Sequence, residues 1–380
     1  MSGTILVINA GSSSVKFAVF DGAGQPGLSG AATEIGSTTA RLDLAGASMK
    51  ANLPDHAAAL QAILAGLRRQ GVAVADLAAA AHRVVHGGPD LSAPALVSEG
   101  VLDQIEACIP LAPLHNPHNL AAIRALAQVA PDLPQTVSFD TGFHATNPAV
   151  ATRYALPREA EALGLRRYGF HGISYEGLVQ RLPKLSAEAL PRRLLACHLG
   201  NGASLCAILD GRSVATTMGY SPLEGLTMGT RSGSIDGNAV LRLAEEFGTT
   251  RAARMLNNEG GLLGLSGLSS DMRTLSQAGT PEAEFAIAHF SYWANRHAGS
   301  MIAAMGGLDA VAFTGGIGEH SAQIRGALMQ DLGWLGLQMD EPANAQNATQ
   351  LHGEGSPVRA WIVPAQEEAT IAEQARAILT

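Results

Sequence analysis

At 380 residues, the chain exceeds the usual size of a single hydrophobic core, so two domains are expected. Its 33 acidic and 25 basic residues give a formal net charge of -8, which excludes a broad cationic surface and therefore a nucleic-acid partner. The 3 cysteines form no CxxC motif, which excludes a disulfide framework and a thiolate zinc site and predicts buried thiols in a reducing cytoplasm.

The N-terminal sequence MSGTILVINAGSSS lacks the basic region and the long apolar region of a signal peptide. The most apolar later stretch, residues 301–318, is interrupted by Asp309 and by several glycines. We therefore expect a cytoplasmic protein without a membrane partner.

The first predicted element is a β-hairpin at residues 4–20, in which two apolar strands, ILVI and VKFAVF, flank the turn NAGSSS. Residues 194–211 repeat this pattern without a gap, and Gly11 and Gly200 occupy equivalent positions 189 residues apart. Because 189 is about half of the chain length, duplication of one ancestral domain is the simplest explanation. Chance similarity between short apolar strands is the alternative.

The two turns carry the functional hypothesis. Glycine and serine allow backbone N–H groups and hydroxyls to approach an anion that larger side chains would exclude. Two such turns facing one another across a cleft would bind a polyphosphate.

The rest of the chain alternates between helical and strand patterns. The periodicity predicts helices at 56–70 and 120–130, strands at 77–85, 135–139 and 310–313, and a final helix at 368–379. This alternation predicts an α/β fold.

The sequence does not indicate a dinucleotide site, a Walker P-loop or a histidine metal site. Residues 22–27, GAGQPG, match a dinucleotide motif, but Pro26 and the following residues do not begin a helix, so we expect a turn. The chain contains no Walker P-loop motif. His82 and His86 lie in a strand-like run, where a spacing of four does not form a helical metal pair, and they are interpreted as structural.

Ten sequence blocks, in order along nearly the whole chain, resemble the acetate kinase (acetokinase) family, which belongs to a superfamily with sugar kinases, chaperone ATPases and actin. The blocks are NAGSSSVK (9–16), HRVVHGG (82–88), LAPLHNP (111–117), FDTGFH (139–144), YGFHG (168–172), HLGNGAS (198–204), SPLEGLTMGTRSGSID (221–236), SGLSSDMR (266–273), FTGGIGE (313–319) and VPAQEE (363–368).

The resemblance implies reversible transfer of the γ-phosphoryl group of ATP to acetate, which gives acetyl phosphate and ADP. It implies two duplicated actin-like (ribonuclease H-like) domains hinged around an active-site cleft. The expected boundaries are 1–146, completed by the C-terminal helix 367–380, and 147–366. A homodimer is also expected from the family.

The resemblance assigns ligand contacts residue by residue. Asn9 and Glu367 resemble the positions associated with Mg²⁺, for which Mn²⁺ is the alternative. His320 and Gly237 depart from the family, which usually has asparagine and proline at these positions. The expected nucleotide contacts are Ser12, Ser14 and Lys16 in the first hairpin, His198, Leu199, Gly200, Asn201 and Gly202 in the second, Asp271, Met272 and Arg273 at the adenosine, and Gly316, Ile317, Gly318, Glu319 and His320 in a glycine-rich loop.

Arg83 and Arg231 resemble the two arginines that flank the acyl and phosphoryl groups, and His171 resembles a third donor to the phosphoryl group. Phosphoryl transfer spreads charge over three oxygens, which fixed guanidinium groups stabilise better than a lysine does. Asp140 resembles the catalytic aspartate of the family. A carboxylate substrate is already ionised at neutral pH, so we expect Asp140 to hold a magnesium-bound water and to orient Arg83 or the incoming oxygen, not to act as a base.

Four apolar residues resemble the substrate pocket: Val85, Leu114, Phe170 and Pro222. Arg83 and Val85 are expected on one face of the strand at 77–85, with valine favouring acetate over propionate by about 1–3 kcal/mol per methylene. A propionate or butyrate kinase of the same family remains the nearest alternative. A nucleotide-gated switch resembling actin or the chaperone ATPases is a more distant one.

Overall fold

A computed structural model describes residues 3–379. The chain divides into two compact units. The first unit runs to Gly142 and also contains the chain from Gln366 onward, and the second unit spans Phe143–Ala365.

Each unit contains one β-sheet. The strands are β1 (Thr4–Ala10), β2 (Ser14–Phe20), β3 (Pro26–Thr33), β4 (Arg41–Leu44), β5 (Ala47–Lys50), β6 (Leu77–Val84), β7 (Ala95–Leu96), β8 (Gln135–Phe139), β9 (Arg193–Leu199), β10 (Ala203–Leu209), β11 (Arg212–Thr216), β12 (Ala310–Thr314) and β13 (Arg359–Ile362). The strand order is β5-β4-β3-β2-β1-β6-β8-β7 in the first unit and β11-β10-β9-β12-β13 in the second.

Helices cover these sheets. They are α1 (His56–Arg69), α2 (Glu99–Ala107), α3 (Asn116–Val129), α4 (Ala149–Thr152), α5 (Gly172–Ser186), α6 (Gly237–Phe247), α7 (Thr249–Asn258), α8 (Gly261–Ser266), α9 (Met272–Ala278), α10 (Pro281–Met305), α11 (Gly315–His320), α12 (Ala322–Asp331), α13 (Glu341–Ala345) and α14 (Glu367–Leu379). Short 3₁₀ helices span Val74–Asp76, Ile109–Leu111, Gly142–Thr146, Arg158–Leu163 and Gly333–Leu335.

The repeated hairpin predicted from the sequence is confirmed. Adding 189 to the bounds of β1 and β2 gives the bounds of β9 and β10. In each unit the hairpin is extended by an antiparallel strand on one side, β3 or β11, and by two parallel strands on the other, β6 and β8 or β12 and β13. Five strands of the first sheet and the five strands of the second therefore share one topology, as expected for a duplicated domain.

Local sequence explains the central elements. The apolar run of β1 is almost entirely buried, because helices pack on this central strand. Helix α1 begins where the Asp55 side chain accepts a hydrogen bond from the N–H of Ala58. Its buried residues Leu60, Ile63 and Leu67 follow the helical period.

Element bounds agree with the predictions to within a few residues. Helix α3 begins at Asn116, earlier than the predicted residue 120, because Pro117 occupies its first turn, where the missing N–H costs nothing. Strand β6 ends at Val84, one residue before the predicted end at 85. The motif at residues 22–27 forms a turn that leads into β3, as expected.

The buried polar and sulfur groups behave as the composition suggested. Cys108, Cys197 and Cys206 are buried free thiols, and burial raises the pKa of each. His82 and His86 are also buried, and burial lowers the pKa of each imidazole to about 4, so both are neutral structural histidines. No helix within residues 3–379 is both long enough and apolar enough to span a membrane.

Candidate active site

In the first unit, three polar side chains lie where parallel strands end. Asn9 lies in β1, Arg83 lies in β6, and Asp140 directly follows β8. These strands are parallel neighbours, so their carboxyl ends meet at one edge of the sheet. This edge is the usual position for ligand-binding residues in α/β folds.

Arg83 is held on two sides. Its Nε lies 3.1 Å from both carboxylate oxygens of Asp140, and its Nη2 lies 2.5 Å from Oδ2. Its Nη1 donates to Oδ1 of Asn9 at 3.3 Å. The Asp140 side chain is 3% exposed and that of Arg83 is 23% exposed, so this is a largely buried ion pair whose cation keeps some access to solvent. Asp140 therefore fixes the direction of the guanidinium.

The charge of Arg83 is stabilised further by the C-terminal helix. Burial by itself would lower the pKa of Arg83, but Asp140 and the carboxylates of Glu367 and Glu368 together raise it above its usual value. Glu367 begins α14, which packs against β1, β6 and β8. The two proposed metal positions, Asn9 and Glu367, thus belong to the same unit although they lie near opposite ends of the chain.

This donor set suits magnesium better than a softer metal. Within residues 3–379, no group of three or more His, Cys, Asp or Glu side chains could hold a metal ion. Magnesium requires fewer protein ligands, because one or two oxygen donors together with substrate phosphates and waters complete its shell. Asn9 and Glu367 supply an amide oxygen and a carboxylate of this kind.

The first hairpin presents polar groups to solvent. Asn9 and Lys16 are cross-strand partners in the β1–β2 register. Lys16 and Ser12 are exposed, and Ser14 is half-buried on the same face of β2 as Lys16. The N–H of Gly11 closes the turn by donating to the carbonyl of Ser14 at 2.7 Å. These side chains can therefore contact an anion while the apolar residues of the hairpin stay buried.

The two apolar pocket residues of this unit differ in environment. Val85 is 5% exposed and follows the end of β6, and its N–H donates to Oδ1 of Asn119 at 3.2 Å. Strand β6 ends at Val84, so Val85 lies one residue beyond the strand, and its position on the strand face of Arg83 stays a prediction. Leu114 is 62% exposed, which leaves its side chain available to a ligand or to another surface.

In the second unit, most of the predicted adenosine and loop residues surround one cavity of about 650 Å³. Residues that the sequence did not suggest also line this cavity: Ser270, Ser276, Gln277, Ser321, Ala322 and Gln323. Ser270 lies within the block at 266–273, and the other five residues follow recognised blocks along the chain, so only their position relative to those blocks could have indicated them. The predicted residues that line the cavity are Gly200, Asn201, Asp271, Met272, Arg273, Gly316, Ile317 and His320.

The other predicted nucleotide residues lie outside this lining. Leu199 and Gly318 are buried. Glu319 turns its carboxylate back onto the main chain, where Oε1 accepts from the N–H groups of Gly315 at 3.0 Å and Ala365 at 2.9 Å. The Glu319 side chain therefore holds the loop in shape. His198 and Gly202 belong to a separate cluster beside the cavity wall at Gly200.

Asp271 and Arg273 interact with each other at the start of α9. The Asp271 side chain accepts from the N–H of Arg273 at 2.7 Å and from its Nη2 at 2.7 Å. These hydrogen bonds lower the pKa of Asp271 to about 2. Asp271 caps the helix. The Arg273 side chain is 85% exposed to solvent.

The side-chain nitrogens of Arg231 and His171 converge near Gly202. A Cβ atom at Gly202 would lie 3.1 Å from Nη2 of Arg231 and 3.3 Å from Nε2 of His171, so both nitrogens approach the same glycine. Arg231 donates from Nη1 to the carbonyl of Pro222 at 2.7 Å, and burial lowers its pKa. Among residues 3–379, no carboxylate forms an ion pair with Arg231. This arrangement can bind an anion whose charge completes the site.

The loop that carries Pro222 is braced by a cluster that the sequence reading missed. The Tyr154 hydroxyl hydrogen-bonds the Glu224 carboxylate, and Arg167 stacks on the Tyr154 ring at 4.1 Å. Tyr154 also accepts from the N–H of Tyr220 at 3.1 Å. Phe170, 2% exposed, is the more deeply buried of the two predicted apolar pocket residues in this unit, since Pro222 is half-buried.

A glycine-lined cavity next to a buried arginine that forms no ion pair within residues 3–379, on a duplicated α/β fold, is typical of a phosphotransferase. Comparison with known proteins makes the assignment specific. The chain belongs to the acetokinase family, whose sequence model matches residues 4–373.

Individual relatives agree over the full length. An acetate kinase of Methylocella silvestris is 42% identical over 399 aligned residues, which cover 100% of this chain and 98% of the relative. A propionate kinase of Citrobacter rodentium is 43% identical and covers 98% of this chain and 96% of its own. The crystal structure of Porphyromonas gingivalis acetate kinase matches with a TM-score of 0.93 at 34% identity, covering 100% of both chains. The predicted α/β fold, with two sheets consistent with duplicated actin-like domains, is confirmed.

Proposed function

We propose that this chain is an acetate kinase that transfers the γ-phosphoryl group of ATP reversibly to acetate, giving acetyl phosphate and ADP. The observation that carries the proposal is the convergence of Arg231 and His171 near Gly202, because a buried guanidinium that forms no ion pair within residues 3–379, with an imidazole beside it, suits a transferring phosphoryl group. Family membership and the full-length relatives named acetate kinase support it.

The reaction needs donors more than bases. An acetate oxygen attacks the γ-phosphorus, the bond to the β–γ bridging oxygen breaks, and ADP leaves with that electron pair. Acetate is already ionised at neutral pH, so no proton has to be removed. Arg83 binds the carboxylate, and Arg231 and His171 donate to the equatorial oxygens as charge develops. Asp140 acts through Arg83, because both its oxygens accept from that guanidinium.

The nucleotide is assigned to the cavity of the second unit and to the turns of the two hairpins. The adenosine occupies the cavity bounded by Asn201, Asp271 and Ile317, and its phosphates reach the Gly200–Gly202 turn. Ser12, Ser14 and Lys16 of the first hairpin contact the phosphates as well. Asn9 and Glu367 would hold Mg²⁺, or Mn²⁺ in its place, and the bound cation would neutralise phosphate charge. The two domains are proposed at 1–146 with 367–380, and at 147–366.

The second candidate is a propionate kinase, because a relative with that name is as similar to this chain as the acetate kinases are. The two activities share the phosphoryl chemistry and differ in the space around one methylene. Acetate is the first candidate because valine at position 85 leaves less space for a further methylene than a smaller residue would.

The proposal includes a cytoplasmic homodimer. Helix α6 has no buried residue, and its apolar side chains Leu241 and Phe247 are 62% and 53% exposed. Such a one-sided apolar helix is expected to be covered by a second copy. Light scattering on the parent and on Leu241→Glu tests this, because the charged variant should be monomeric. A parent that is monomeric at micromolar concentration would refute the dimer.

The decisive test of the activity traps acyl phosphate with hydroxylamine in the presence of ATP, Mg²⁺ and acetate, propionate or butyrate. We expect the highest kcat/KM with acetate. A higher value with propionate would establish the second candidate, and ATP hydrolysis that ignores every carboxylate would indicate a nucleotide-gated switch.

A matched pair of variants tests the site itself. Arg231→Lys keeps a charge but loses the planar fork, so we expect kcat to fall roughly 100-fold while nucleotide binding is retained. The control is Arg192→Lys, at an arginine of the same unit whose side chain is 69% exposed, and it should match the parent. Turnover of Arg231→Lys within about threefold of the parent would exclude a transition-state role, which should cost far more.

A further inference from the structure

A buried chain of hydroxyl groups ends on the imidazole of His171. The phenol of Tyr175 lies 2.6 Å from Oγ of Ser204, and the same Oγ lies 2.9 Å from Nδ1 of His171. Tyr175 and Ser204 are both 0% exposed, so no solvent competes for these hydrogen bonds. The far nitrogen of the ring, Nε2, is the one that approaches Gly202 beside Arg231.

The direction of this chain follows from its buried end. Burial raises the pKa of Tyr175 well above its usual value, so the phenol keeps its proton. Among residues 3–379, Oγ of Ser204 is the one acceptor within hydrogen-bond distance of the Tyr175 phenol, so the phenol proton points to Ser204.

Ser204 then has one proton to donate and one partner to receive it. If Nδ1 of His171 carried a hydrogen, two donors would point at the Ser204 oxygen and the serine proton would have no acceptor. A buried donor without an acceptor costs about 1–3 kcal/mol, so the arrangement with a bare Nδ1 is favoured. Neutral imidazole with a bare Nδ1 carries its hydrogen on Nε2.

A second contact fixes the plane of the ring. His171 stacks on His198 with centroids 4.0 Å apart and an interplanar angle of 20°, and Nδ1 of His198 is itself held by Ser174 at 2.9 Å. His171 also has a left-handed backbone conformation, with φ of 60°, at the start of α5. Stacking on His198, the backbone conformation of His171 and the hydrogen bond to Ser204 thus restrain the plane, the orientation and the tautomer of the ring.

We propose that Tyr175 and Ser204 are positioning residues that hold His171 as the Nε2–H tautomer, with that hydrogen directed to the oxyanion of the transferring phosphoryl group. The proposal rests on the proposed function for the identity of the anion. The hydrogen-bond relay itself depends only on the contacts within the second unit. Without the relay, His171 would divide its population between tautomers, and the Nδ1–H form presents no donor at Nε2.

The test reads the tautomer directly by ¹⁵N NMR of histidine-labelled protein, with His171→Gln identifying the signals among the 12 histidines. In the parent, Nδ1 of His171 should appear unprotonated and Nε2 protonated. Ser204→Ala and Tyr175→Phe should each shift the signals toward a mixture of tautomers. Two variants are used because both positions are buried, and one folded variant is sufficient.

Kinetic measurements on the same samples test whether the tautomer of His171 affects turnover. We expect kcat for acyl phosphate formation to fall roughly 10- to 100-fold, less than the ~10²–10³ loss for deleting a donor outright, with the KM for ATP unchanged. The control is Ser213→Ala, which removes a buried serine that lies 2.8 Å from Nδ1 of another histidine, His144. It should leave both the His171 signals and kcat at the parent values.

Unchanged His171 signals in a folded Ser204→Ala or Tyr175→Phe protein would overturn the relay, and so would a shifted tautomer with parent kcat. A parent that traps no acyl phosphate would instead defeat the proposed function, whatever the spectra show. The two failures are therefore distinguishable.

Discussion

Asp140→Asn is the most informative single change, because it removes one charge from a largely buried ion pair while keeping the shape of the side chain. In the parent, Arg83 donates to both Asp140 oxygens, and the closest contact is 2.5 Å. An amide in this position offers one acceptor and turns its NH₂ group toward another donor. The variant therefore loses a charge–charge interaction and at least one hydrogen bond.

The structure sets the expected magnitude. Removing one partner of a buried pair costs about 3–5 kcal/mol, because the other charge stays buried without compensation. The Arg83 side chain is 23% exposed, so water can partly solvate its charge, and we expect a loss of stability at the lower end of this range, about 3 kcal/mol. In a unit of this size, that corresponds to a melting temperature lower by about 6–12 °C. Loss of the guanidinium direction should also reduce kcat/KM for acetate by roughly 100-fold.

The assay combines thermal unfolding with acyl phosphate trapping, and the second unit provides a matched control. Arg193 and Asp309 form a similar forked pair, with Nη2 2.5 Å and Nε 3.1 Å from Oδ1. Their side chains are 33% and 29% exposed, so water can solvate the charge that remains after substitution. Asp309→Asn should therefore lower the melting temperature less than Asp140→Asn does and leave kcat/KM unchanged.

Equal melting temperatures for the two asparagine variants would show that burial does not determine the free-energy cost of leaving the arginine unpaired. Parent activity in Asp140→Asn would separately show that the orientation of Arg83 does not matter for turnover.

Three further predictions concern the metal, the pocket and acid stability. Asn9→Ala and Glu367→Ala should each raise the Mg²⁺ concentration for half-maximal activity, because both contribute oxygen donors to one shell. Val85→Ala should raise the ratio of kcat/KM for propionate over acetate by about 10–200-fold, since two methyl groups are removed from a residue that is 5% exposed. His144→Gln should flatten the dependence of melting temperature on pH. Burial lowers the pKa of His144 to about 4, so the native state binds fewer protons than the unfolded state between pH 6.5 and 4. Stability is present above this window and is lost as pH falls through it, by at most about 3 kcal/mol.

Each of these has a clear contrary result. Magnesium titrations of Asn9→Ala or Glu367→Ala that overlay the parent would exclude the shared metal site. An unchanged substrate ratio in folded Val85→Ala would make Val85 an ordinary core residue, with both substrates affected alike. If the melting temperature of His144→Gln depends on pH as steeply as that of the parent does, other titratable groups dominate acid unfolding.

Local patterns were sufficient for the elements of the fold. The two hairpins, the α/β alternation and the C-terminal helix could be predicted because apolar periodicity, turn residues and helix caps act over a few neighbouring residues. The shift of 189 between the hairpins was visible for the same reason, since duplicated strands keep their pattern of buried positions. The end of β6 was missed by one residue, because Asn119 of α3 accepts the N–H of Val85 and no local signal in the strand encodes that contact.

By itself, the sequence determined the family, the order of the elements and the residue types available for phosphate, metal and carboxylate. Only the tertiary structure decided which of them meet. Asn9, Arg83 and Asp140 are joined because parallel strands far apart in the chain end at one edge of a sheet. The Tyr175–Ser204–His171 chain and the brace at Tyr154 and Glu224 join a helix or loop to a distant strand or turn, and Glu319 binds the main chain at Ala365. Such hydrogen bonds depend on packing between elements, which periodicity along the chain does not specify.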